Sequence, residues 1–193
     1  MSTLKTNAIQ TVAGKPILNG TGSIIKTVYV RSDANTVYYA ETSGSGTTVS
    51  ALSISITPTS PTNRIICNWV ICGEVGPSSD VVWLIHRNGS LITTAGEEGR
   101  NNRSVTDNRY YGFSPTPYDV DFNSTLFTFS MQYSQIANTT STITYSPAIR
   151  SSWGTQCYFQ LNATLGAPSP SIIPATDNYE NSVSTCVLYE VVE

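Results

Sequence analysis

The chain has 193 residues, 39% of them apolar and only 12% charged, with a formal net charge of -3; no basic footprint exists for binding nucleic acid. Ser, Thr and Asn are abundant and runs rich in Ala, Leu, Lys and Glu are missing, so one main domain of strands and turns is expected rather than long helices. No stretch approaches the ~20 apolar residues of a membrane span, and Met1 to Gln10 lacks the apolar core of a signal peptide. The expectation is a chain assembled without a secretion signal of its own and without membrane insertion.

Residues 1–23 have little periodicity and contain Ala13-Gly14-Lys15-Pro16 and Asn19-Gly20-Thr21-Gly22. They read as an extended arm. Two short β-prone runs follow, Ile24 to Arg31 and Thr36 to Glu41, separated by the turn-like Ser32-Asp33-Ala34-Asn35. Residues 24–46 form either a separate hairpin and linker or the opening strands of the main domain. Ser43-Gly44-Ser45-Gly46 marks a soft boundary, after which residues 47–193 read as the main domain.

Leu52, Ile54 and Ile56 alternate with Ser53, Ser55 and Thr57, the period-two signature of a strand with one buried face, ended by Pro58. Arg64 to Gly73 and Val81 to Ile85 are apolar on both faces, which an antiparallel strand tolerates only under a second cover, from the same chain or from another subunit. Asn88-Gly89 predicts a tight type I′ hairpin, because both residues tolerate positive φ. Gly96 to Val120 reads as a long loop region with room for one strand. Phe127, Phe129, Met131 and Tyr133, then Thr142 to Ile149, then Cys157, Phe159 and Leu161 resume the alternation, and Val183 to Val192 closes the chain as a β-branched strand. Eight to ten strands with turn signals between them predict a sandwich or barrel.

Little in the sequence points to catalysis or a cofactor. His86 is the single histidine and reads as a hairpin or surface residue. No Gly-x-Ser-x-Gly elbow accompanies it, and no phosphate-binding loop is present. Asp119, Asp121, Glu97 and Glu98 read as solvated loop charges rather than a carboxylate pair for glycan hydrolysis or calcium. Cys67, Cys72, Cys157 and Cys186 lack metal spacing; Cys67 and Cys72 lie too far apart on one strand to bridge, and the four read as buried reduced thiols. The Asn-x-Ser/Thr triplets at Asn88, Asn123, Asn138 and Asn162 are chance products of composition.

The order of Leu52-Ser53-Ile54-Ser55-Ile56-Thr57-Pro58, Arg64-Ile65-Ile66, the hairpin Leu84 to Ile92, Asn138 to Tyr145 and Ser184 to Glu190 resembles the jelly-roll heads of phage tail fibres and related virion proteins. The opening, Ser2 to Asn19, looks like an N-terminal segment shared by virion proteins of marine cyanobacterial phages. These resemblances imply an all-β, antiparallel jelly-roll or β-sandwich head with an extended N-terminal attachment arm. They also imply a homotrimer, and the two-faced apolar strands with an apolar-poor arm agree in part, since three chains sharing a core would explain them; the alternative is a monomeric sandwich whose second face packs under loops.

Arm residues Leu4, Ile9, Val12, Pro16, Ile17 and Leu18 are the candidates for docking on another virion protein of the capsid, tail or fibre base. No long shaft is present, which favours a compact fibre or decoration module within the virion over a full tail fibre. The alternative is a receptor-binding adhesin for host surface polysaccharide, with Tyr110, Tyr111, Tyr118 and Trp153 as candidate glycan contacts: rings stack on sugar faces. A depolymerase is the weakest reading, since neither a long solenoid nor a recognisable carboxylate site appears.

Overall fold

The computed structural model describes residues 20–42, 44–76, 81–92, 114–115, 125–151, 156–165 and 180–193. They form two antiparallel sheets packed face to face as a β-sandwich. In chain order the strands are β1 (Ile24–Ser32), β2 (Thr36–Ala40), β3 (Thr47–Thr48), β4 (Ile54–Ile56), β5 (Arg64–Gly76), β6 (Val81–Arg87), β7 (Ser90–Leu91), β8 (Ser114–Pro115), β9 (Phe127–Ile136), β10 (Ile143–Ser151), β11 (Cys157–Leu161) and β12 (Ser184–Val191).

The pairing is nested. β6 pairs with β7 across the tight turn, β5 with β9, β4 with β10, and β1 with β12. The front sheet runs β1-β12-β5-β9 and the back sheet β4-β10-β6-β7, which is the strand order of an eight-stranded jelly roll. The expected all-β antiparallel sandwich therefore stands. The turn at the tip has Asn88 at φ 51° and Gly89 at φ 77°, the two positive values that a type I′ hairpin requires.

β1 and β2 do not pair with each other. β1 lies on β12 and β2 on β11, so of the two placements the sequence left open they take the second, as opening strands of the head. Residues 44–46, expected at a soft boundary, lie against the back sheet: the Arg150 guanidinium donates to the Gly44 carbonyl at 3.2 Å and His86 Nε2 to the Ser45 carbonyl at 2.8 Å.

β5 is long enough to serve two partners on one edge, β12 along Arg64 to Val70 and β11 along Gly73 to Gly76. Its far edge carries β9. Leu52, expected in a strand, sits instead in a short 3-10 turn, Ser50–Leu52. It is still buried, and its carbonyl accepts from the Trp69 indole N–H at 3.2 Å.

The core lies between the sheets. Ile65, Cys67, Trp69 and Ile71 of β5 face Trp83, Ile85, Tyr145 and Ile149 of the back sheet, all fully buried. Trp83 anchors an aromatic cluster, edge-on to Phe159 at 4.9 Å between centroids and tilted on Phe129 at 5.0 Å. Both are favoured geometries for rings with a negative face and positive edge.

Candidate interaction surface

Alternation sends every second side chain of a strand to the outer face, and the two outer faces of this sandwich are treated differently. On the back sheet, Val82, Leu84 and His86 of β6 and Ser146, Ala148 and Arg150 of β10 point away from the core, yet all are buried. Part of the cover comes from residues 44–48. Gly46, at φ +79°, sits so close that a Cβ there would fall 2.7 Å from the Ile149 carbonyl oxygen and 2.9 Å from Leu84 Cδ1.

His86 is not a surface residue, as the sequence suggested, but is 2% exposed. Its Nε2 must donate to the Ser45 carbonyl, so in the neutral ring Nδ1 accepts from the Thr48 hydroxyl at 2.8 Å. Serine and threonine hydroxyls pair along β4 and β10, Ser53 with Ser146, Ser55 with Thr144 and Thr57 with Thr142, at 2.7–2.8 Å. The described contacts account for this polar layer as structure.

The front sheet carries an open face. Cross-strand register places Tyr29, Val187, Asn68 and Gln132 in one row across β1, β12, β5 and β9. The next row is Thr27, Tyr189, Ile66 and Ser134; on the other side lie Arg31, Thr185, Val70 and Ser130. Tyr29 is 58% exposed and Val70 40%, while Ile66, Val187 and Tyr189 are half-buried.

The two central rows contain no charged residue. Arg31 in the flanking row pairs with Asp33 at 3.5 Å, and Arg64 beyond the other end pairs with Glu193. The side chains of Asn68 and Gln132 make no hydrogen bond among the described residues. The result is a neutral, partly apolar and partly amide face.

Behind one end of this sheet, Glu190 is fully buried opposite Lys26 of β1. Its Oε1 accepts from Asn63 Nδ2, Thr59 N and Thr59 Oγ1, each at 2.7 Å. Burial opposes ionisation, but the bonds from Asn63 and Thr59 outweigh it and hold the carboxyl below its ordinary range. Burial pushes the Cys67 thiol well up, with Cys186 adding to it. The four cysteines are free and buried.

The candidate arm residues Leu4, Ile9, Val12, Pro16, Ile17 and Leu18 and the candidate glycan contacts Tyr110, Tyr111, Tyr118 and Trp153 all lie outside the described residues, as do Glu97, Glu98, Asp119 and Asp121. Sequence reasoning missed Tyr29, Asn68, Val70 and Gln132. The period-two pattern alone separates Ile66, Asn68 and Val70 from Cys67, Trp69 and Ile71, but which neighbours complete the face depends on pairing over long sequence distances. Among the described residues no group of three or more His, Cys, Asp or Glu could hold a metal ion, and no helix is long and apolar enough to cross a membrane.

Fold and surface together define an all-β jelly-roll sandwich with one sheet face covered and the other open. No family model and no curated protein matches the chain. Among solved structures, one of infectious bursal disease virus, Gx strain, is similar over 98% of this chain at 9% identity, with a TM-score of 0.39. This chain spans 42% of the length of that one, and a likeness at that score carries no functional argument.

Proposed function

We propose that the protein is a non-enzymatic virion structural module of a tailed phage, a short fibre or decoration protein whose arm docks on another virion protein while a trimeric head is displayed outward. A jelly-roll fold alone does not specify this role, because one fold hosts many functions. The observation that carries the reading is the resemblance of Ser2 to Asn19 to a virion attachment segment, joined to a head whose first strand, β1, is closed by its last, β12. The join is well placed for an arm: Gly22 N donates to the Val192 carbonyl at 2.7 Å and Val192 N to the Ser23 carbonyl at 3.0 Å, tying the start of the head to the chain's end.

The test is incorporation. A chain lacking residues 2–19 keeps every described strand, so it should unfold with the same transition as the full chain yet be absent from purified particles. Equal incorporation of the truncated chain overturns the attachment role. A truncated chain that fails to fold assigns the arm to the head itself and also overturns it.

A further inference from the structure

We infer that the open face of the front sheet, centred on Tyr29, Val187, Ile66 and Val70, is where copies of this chain meet around a shared axis. The inference rests on the trimeric reading above and adds the surface that makes it.

The sequence contains two strands apolar on both faces, β5 and β6, and each needs a second cover. For β6 the cover is found within the chain, where residues 44–48 lie on the outer side and Leu84 meets the position of a Gly46 Cβ. For β5 it is not. Along Arg64 to Val70 the odd positions are sealed in the core while Val70 stays 40% exposed and Ile66 half-exposed. Of the four large apolar side chains exposed among the described residues, Tyr29 and Val70 lie on this face, and Ile24 sits at its end, opposite Val191.

Charge decides what kind of partner fits. Identical faces approaching a shared axis bring the residues nearest that axis close to their own copies, so an unpaired charge there would meet a like charge. The central rows have none, and the flanking arginines are neutralised within their own chain by Asp33 and Glu193. Four strands ~4.8 Å apart and seven residues of ~3.3 Å rise give a face of about 450 Å², on which Tyr29, Val187, Tyr189, Ile66 and Val70 are the apolar members. Asn68 and Gln132, unbonded within the described residues, supply amides for hydrogen bonds between copies, and Tyr29 a large flat ring.

The experiment is light scattering on the full chain and on its Tyr29→Glu/Val70→Glu variant, with Tyr39→Glu, exposed on β2, as a control. Expected are three times the 20.8 kDa chain mass for the parent and the control, and the single-chain mass for the double variant. If circular dichroism shows that the glutamates unfold the head, Tyr29→Ser/Val70→Thr takes their place and should weaken association at least ~10-fold.

A trimeric parent whose folded double variant stays trimeric overturns the assignment of this face and leaves the trimer standing. A monomeric parent overturns both. The row Tyr29, Asn68 and Gln132 would then be free for a neutral glycan instead.

Discussion

Ser184 Oγ donates to Asn162 Oδ1 at 2.6 Å while accepting from the Cys72 backbone N–H at 2.9 Å, and this junction sits where β5 exchanges one partner strand for another. Asn162 uses its remaining capacity on the same spot, its Nδ2 donating to the carbonyls of Ser32 at 2.9 Å and Ala34 at 3.1 Å. It is fully buried with φ at 60°. Asparagine suits the position because a short amide tolerates left-handed backbone and satisfies several neighbours at once.

Asn162→Ala should therefore cost about 3–5 kcal/mol in urea unfolding, since it strands buried carbonyls and a hydroxyl and loses the amide that lets asparagine tolerate left-handed backbone. Asn162→Gly removes the same bonds but relieves the backbone. It should be less destabilised than the alanine variant by about 1 kcal/mol. Equal stability of the two would show that φ contributes nothing.

Glu190 makes stability depend on acid. Its folded carboxyl titrates below the ordinary value of 4.5, so its contribution is fully present above the unfolded value and is lost as pH falls through the folded one. Glu190→Gln should cost about 1–2 kcal/mol at pH 7, the charge-assisted part of the bonds from Asn63 and Thr59. Unfolding curves of the two proteins should converge as the pH falls through and below the folded value.

The thiols give a readout of core integrity. Burial raises the Cys67 and Cys186 thiols, so their thiolate is scarce, and all four cysteines are enclosed and out of a reagent's reach. A disulfide reagent at pH 8 should label none of the four in the folded protein and all four in denaturant. Rapid labelling of the native head would contradict the sealed core.

Gly46→Ala tests the cover on the back sheet. The added methyl would press on the Ile149 carbonyl at a residue with φ +79°, so a loss of about 2–4 kcal/mol is expected. Hydrogen exchange should rise first at Thr47–Thr48, where β3 pairs with β10.

Much of this architecture is legible along the chain. The alternation of Phe127, Phe129, Met131 and Tyr133 and of Cys157, Phe159 and Leu161 marks inward faces correctly, and Asn88-Gly89 marks the tip of the roll, because period and turn chemistry are local properties. Three features were not legible. Pairing of Ile24 with Val191 joins opposite ends of the chain, and no local pattern encodes it. His86 looks like a polar residue on a hairpin strand and becomes buried only because residues 45 and 48 arrive to satisfy both ring nitrogens. Asn162 looks like one more Asn-x-Thr triplet until Ser32, Ala34 and Ser184 converge on it.

By itself the sequence determined an all-β chain, where most of its strands lie and which side chains of each share a face. The tertiary structure decided which strands became neighbours, and so which two-faced strand is covered and which, among the described residues, has an open outer face. The reason is that side-chain alternation is set residue by residue by backbone geometry, whereas a sheet's outer surface is assembled from strands far apart in the chain, as Tyr29 beside Val187 and Asn68 beside Gln132 show.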